Sequence, residues 1–251
     1  MKKTVLFITS LLVSAMIQNS YASKSDLDSD LQHYVNVLSS GDYIAHKKAM
    51  TRLEWAGFTS PVIFDLLANK LSEAKDSKDK QTIEAASWYA KTLAFSGNEK
   101  YRSLMTDVSQ NAKSAKLRKY TTKALPRLDR YVAWNPVISN GLLSAPNGRL
   151  EQQRIKNLVS ASDYELVRMG AKRIHAHYYN DADLIATAVN RIESEMSIST
   201  DDDFRNDSIA WLIKAVARAA NPSHKTLLDN VAATHSSKKV RRYAKKALKS
   251  Y

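Results

Sequence analysis

From Asp26 the apolar positions recur at spacings of three and four. Leu27, Leu31, Tyr34, Val35 and Leu38 make one stripe, the signature of an amphipathic helix. Ser39, Ser40 and Gly41 interrupt it, and Asp42 is placed to cap a second helix, Tyr43 to Trp55, which Gly57 ends. Ser60 and Pro61 start a third, with the proline at a position where its missing N–H costs nothing. Ile63, Leu66, Leu67 and Leu71 are its inward face. A polar stretch, Ser72 to Lys80, separates this hairpin from helices predicted over 81–96 and 99–112, joined at Gly97 and Asn98. Residues 115–128 are one more helix. The pattern then fails over 131–149, where Trp134, Asn135, Pro136, Asn140, Gly141, Pro146 and Gly148 predict the longest non-helical segment. Gly and Pro are scarce, six and five in all, which also argues against an all-β chain rich in tight turns.

After this joint the chain starts over. A shift of 121 residues places Asp42 on Asp163, Tyr43 on Tyr164, Arg52 on Arg173 and Asn69 on Asn190. A shift of 123 fits the later part better. Between Trp88 and Leu125 it gives 13 identities in 38 positions, among them Trp88 with Trp211, Lys91 with Lys214 and Arg118 with Arg241. The change of register falls in a connection, where insertions are tolerated. Helices recurring in pairs every 35–45 residues indicate stacked units, because one pair alone cannot bury its apolar face. The expectation is an all-α chain of about 12 helices in one continuous domain over 23–251, with halves 23–130 and 149–251 joined by 131–148.

The last helix is the clearest unit. Val240, Tyr243, Ala244, Ala247, Leu248 and Tyr251 form an apolar stripe, with Tyr120, Ala124 and Leu125 as the matching buried positions of the first half. The run Val240-Arg241-Arg242-Tyr243-Ala244-Lys245-Lys246-Ala247-Leu248 resembles the first helix of a HEAT-like repeat, with its hydrophobic-Arg pair and terminal Ala-x-x-Ala-Leu. Leu117-Arg118 with Ala124-Leu125 is a second instance, and Ala49 with Leu53 a weaker one. The resemblance covers nearly all of 23–251. It implies an α-solenoid whose concave face binds protein or nucleic acid, and no particular activity.

The first residues change the picture of where the chain works. Lys2 and Lys3 precede an apolar run, Val5 to Ile17, followed by Ser20 and Ala22 at the small-residue positions before a cleavage site. The run is too short to span a hydrocarbon core of roughly 30 Å. A cleaved signal, residues 1–22, is expected, which puts the mature chain in the periplasm or outside the cell. The chain has no Cys, so disulfides and thiolate chemistry are excluded. Net charge is +13, and loss of Lys2 and Lys3 leaves +11. For an exported chain, that charge suits an acidic protein or anionic envelope lipid better than nucleic acid.

Lys238, Arg241, Arg242, Lys245, Lys246 and Lys249 surround the apolar stripe of the last helix, and Arg118, Lys119 and Lys123 are their earlier counterparts. They form an anion-binding face or a solvated cap on the terminal repeat. In the joint, Trp134, Val137, Ile138, Leu142 and Leu143 are too apolar for a plain linker; they pack inward or offer a partner loop. Trp88 and Trp211, at equivalent positions, are expected in the core. His175 and His177 are two apart on a helix and diverge, unlike the i, i+4 pair of a helical metal site. Asp181 and the cluster Asp201, Asp202, Asp203 and Asp207 are read as helix caps rather than calcium ligands. No nucleophile elbow, phosphate-binding glycine loop or zinc spacing occurs. The expectation is therefore a non-enzymatic scaffold without cofactor that binds another protein. The alternatives are a nucleic-acid binder, as the resemblance to HEAT-like DNA glycosylases implies, or a binder of anionic lipid or lipopolysaccharide.

Overall fold

The computed structural model describes Ala22 and residues 24–146, 148–198 and 202–251. The apolar run read as an export signal, and Asp201 of the aspartate cluster, lie outside these residues. Among them are twelve α-helices and no strand. In the first half these are α1 (Lys24–Ser39), α2 (Tyr43–Leu53), α3 (Pro61–Glu73), α4 (Lys80–Leu93), α5 (Arg102–Asn111) and α6 (Ala115–Ile138). The second half holds α7 (Leu150–Ser160), α8 (Tyr164–Arg173), α9 (Ala182–Glu195), α10 (Asp203–Arg218), α11 (Lys225–Thr234) and α12 (Lys238–Ala247). No helix among the described residues is long and apolar enough to cross a membrane.

Short polar side chains set the helix starts. Asp42, Asp79, Asp163, Asp181 and Asp202 each accept an amide hydrogen bond from the first turn that follows. Ser114 and Ser237 do the same for α6 and α12. Such a cap is worth about 1 kcal/mol. α3 begins at Pro61.

The helices pack in a ladder. α2, α4 and α6 touch in succession, as do α8, α10 and α12, while α1, α3 and α5 form the other layer of the first half. The close sequential pairs are α1 with α2, α3 with α4 and α5 with α6, then α7 with α8, α9 with α10 and α11 with α12. This differs from the hairpin expected across the Gly57 turn: α3 lies against α1 and α4 instead of α2. One cluster of buried apolar side chains runs from Tyr34 on α1 to Ala244 on α12.

The joint is shorter than its composition suggests. Residues 131–138, expected to be non-helical, continue α6, and Pro126 and Pro136 both sit inside it. Both prolines are exposed, on the solvent side of the helix. The buried face supplies the holding force. The Tyr131 hydroxyl donates to the Glu54 carbonyl (2.7 Å), Asn135 Nδ2 donates to the carbonyls of Phe95 and Ser96, and Trp134 Nε1 donates to Asp163 (2.8 Å). Gly97 is required for this approach: a Cβ there would lie 2.7 Å from the backbone of Tyr131 and Val132.

The start of the second half docks on the start of the first. Arg154, 1% exposed, donates to Asp30 (2.7 Å) and stacks over Phe58. Arg52 lies 3.5 Å from Glu151. Ala22 donates its amide to the Ala145 carbonyl beside this junction.

Candidate functional site

The even-numbered helices present one face on which cations stack on aromatic rings. On α4 the Trp88 ring has Lys47 of α2 and Lys91 of its own helix each 5.2 Å from its centre. On α10 the Trp211 ring has Lys172 of α8 at 5.0 Å and Lys214 at 3.9 Å. The spacing explains this: in Trp-x-x-Lys the two residues are one turn apart and share a helix face. Both tryptophans are half-buried, with one side on the core and the other lining a surface groove. They pack against the core as expected, but by one side only.

The first groove, about 480 Å³, runs between α4 and α6, with Trp88, Lys91, Lys116, Tyr120, Lys123 and Arg127 on its walls. Tyr120 is 47% exposed here and Tyr243 only half-buried, so neither is the buried position expected. The lysines beside the two tyrosines differ in their contacts. Lys214 sits 4.7 Å over the Tyr243 ring, whereas Lys91 turns to Glu54, 3.6 Å away. The second groove, about 550 Å³, lies where α6, α8 and α10 meet the end of α2, and Arg127 lines both.

Glu54 is the electrostatic centre of the first half. Arg127 is 2.9 Å from its carboxylate, Lys91 3.6 Å and Arg173 4.0 Å. The residue at the equivalent position of the second half, 121 places on, is His175. It stands edge-on to Trp211, ring centres 5.7 Å apart. Burial, followed by Arg218 and Lys214, holds its pKa below the ordinary imidazole value. Among the described residues no carboxylate comes within 4.0 Å of Lys172 or Lys214. Burial and then the neighbouring Arg168 push the Lys172 pKa down. The second groove also holds Glu54 and Glu165, and Asp207 pairs with Arg168, but Lys172 and Lys214 beside Trp211 have no direct ion pair among the described residues. Such a site favours an incoming anion.

The basic residues singled out in the sequence divide into two kinds. Arg241 donates Nη1 to the carbonyls of His235 and Ser236, and Arg118 donates to those of Ala112 and Lys113. They close the ends of the preceding helices, α11 and α5, so their task is structural. Arg242 and Lys246 flank the Tyr243 ring, and Lys123 lines the α4–α6 groove, so these belong to the face. Lys119, Lys238, Lys245 and Lys249 are exposed around it. The two basic helices share a layer but are separated by α8 and α10. The charge that bridges them comes from Arg127, Arg168 and Lys172, which the sequence reading did not single out.

The partner loop is largely interior. Trp134, Ile138 and Leu142 are buried and hold the joint together, leaving only Val137 and Leu143 exposed. His175 and His177 point apart, into the second groove and into a separate cavity beside α1. Asp181 and Asp202 cap α9 and α10.

No family model matches the chain, and no curated protein matches it. Among solved structures, the crystal structure of an engineered protein matches over 88% of this chain and 96% of that one, at 15% identity and a TM-score of 0.29.

Proposed function

We propose that the chain is an exported, non-enzymatic scaffold with HEAT-like repeats that binds an acidic protein through its even-numbered helices. An accessory or chaperone-like role in a bacterial secretion, toxin or envelope system fits this reading. The observation that supports it most is the asymmetry between the two tryptophan centres. Where the first half places Glu54 among its cations, the second has His175, and Lys172 and Lys214 beside Trp211 have no direct ion pair among the described residues, although Glu54 and Glu165 lie in the same groove. A carboxylate from a partner would restore the arrangement that the chain already uses once. Cations stacked on a half-buried ring contribute roughly 0.5–2 kcal/mol each, and long-range attraction between opposite charges speeds encounter.

The test is retention of a periplasmic protein on the immobilised mature chain at low and at high salt. The expected result is an acidic protein held at low salt, released at high salt, and lost from the double variant Lys172→Glu, Lys214→Glu. No retained protein at low salt, or equal retention by the variant, overturns the reading. Binding to anionic-lipid vesicles that disappears in Lys245→Glu, Lys246→Glu, Lys249→Glu would favour a lipid partner instead. A gel shift with nucleic acid that persists near physiological salt would favour nucleic acid.

A further inference from the structure

A cavity of about 700 Å³ lies between α1, α2 and the end of α8, away from the tryptophan face. Its volume falls in the range typical of small-molecule sites, roughly 300–1,000 Å³. α8 runs into a five-residue π turn, Ile174–Tyr178, and this turn brings His177 and Tyr178 to the cavity wall. Such turns interrupt the regular ladder and recur at functional positions. Tyr34, Val37, Ala45, Ala49 and Trp55 make the wall largely apolar. Lys48, Arg52 and Arg173 also line it, and no carboxylate does.

Two groups in this wall are incompletely used by the protein. Trp55 is 4% exposed, and its buried Nε1–H has no acceptor. A buried donor left without a partner costs about 1–3 kcal/mol. Arg173 stacks 5.3 Å over the Trp55 ring and reaches Glu54 only at 4.0 Å, so most of its five donors remain available beside that indole. The Tyr178 hydroxyl is already spent on Glu151. Burial and that carboxylate keep its phenol protonated.

We propose that this cavity binds a small anionic amphiphile, a carboxylate carried on an apolar chain. The carboxylate accepts hydrogen bonds from Arg173 and Trp55 Nε1, and the chain lies against Tyr34, Val37 and Ala49. A neutral ligand satisfies the apolar wall but leaves the guanidinium with only the longer contact to Glu54, at 4.0 Å. A cationic one is repelled by Lys48, Arg52 and Arg173. The site shares no lining residue with the second groove except Arg173, so it stands or falls separately from the acidic-partner reading.

The test is titration of the protein with decanoate below its micelle concentration, followed by calorimetry and by tryptophan fluorescence. Decanol and decyltrimethylammonium serve as neutral and cationic comparisons. Saturable binding at one decanoate per chain is expected, at least tenfold tighter than either comparison. Trp55→Phe keeps an aromatic ring, though a smaller one, and removes the donor, and should weaken decanoate about tenfold. Ala49→Leu fills the cavity and should weaken it at least as much. Circular dichroism confirms that each variant is folded; if Ala49→Leu does not fold, Trp55→Phe decides. Absence of saturable binding, equal affinity for the three ligands, or an affinity unchanged in the folded variants overturns the proposal.

Discussion

Gly97 and Ala220 follow equivalent helices of the two halves, α4 and α10, in the same left-handed backbone conformation, φ 59° and 51°. Only the glycine is free of strain there; an L side chain in this region costs about 1–2 kcal/mol. Ala220 is exposed, whereas α6 lies against Gly97. Ala220→Gly should therefore stabilise the protein by about 0.5–1 kcal/mol, the relief of strain being partly offset by the freer unfolded chain. Gly97→Ala adds a Cβ 2.7 Å from the backbone of α6 and should destabilise by roughly 2–5 kcal/mol. Urea unfolding of both variants measures the contrast, and equal effects would contradict it.

Arg241 and Arg118 predict a split among the basic residues. Arg241→Gln removes a charged donor from the carbonyls of His235 and Ser236 and should cost about 1–2 kcal/mol in unfolding free energy. Arg118→Gln should cost a similar amount at the end of α5. Lys238→Gln and Lys249→Gln lie on exposed positions and should change stability by less than about 0.5 kcal/mol. A thermal-shift comparison of the four separates structural from surface charge.

The helix pattern is legible in the sequence because the apolar stripes and the short polar caps repeat at fixed shifts. Asp42, Asp181 and Asp202 cap helices as their positions implied, and α3 starts at Pro61. The helical course of 131–138 was not readable. Local chemistry at Pro126 and Pro136 opposes a helix there, and the bonds that override it come from residues 29–77 positions away. The tryptophan face was half visible. The repeated Trp-x-x-Lys lies in the sequence, but apolar neighbours make Trp88 and Trp211 read as core. Only the packing of α2 beside α4, and of α8 beside α10, shows which edge of each ring stays open. The role of Glu54 was hidden for the same reason, since its cations come from three separate helices.

Glu54 holds those cations together at the centre of the molecule. Glu54→Gln keeps the size of the side chain and removes its charge, leaving Lys91, Arg127 and Arg173 close together without a counter-ion. A loss of roughly 1–3 kcal/mol is expected, because the side chain is mostly but not fully shielded from water. The loss should grow at low ionic strength, where repulsion among the three cations is least screened. Urea unfolding at two salt concentrations checks both the size and the salt dependence. A loss that shrinks at low salt would contradict the assignment.

His235 ties stability to pH. Its ring is fully buried, its Nδ1 accepts the Ser237 amide (3.0 Å), and burial holds its pKa below the ordinary value of 6.5, with Arg205 and Arg241 adding to the effect and Glu195 opposing it. The unfolded chain therefore takes up a proton at a higher pH than the native protein does. Stability from this group is complete above about pH 7, falls as the pH drops below 6.5, and levels off once the native ring also protonates. The equivalent residue of the first half is Ala112, at the same point between α5 and α6, so alanine is compatible with the local backbone. His235→Ala should lose some stability at pH 7.5 through lost packing. Between pH 7 and pH 5 it should decline less steeply than the wild type, in a window mostly above the titration of ordinary carboxylates. Unfolding free energies of both proteins across that range give the two slopes, and parallel slopes would show that His235 does not carry the pH dependence.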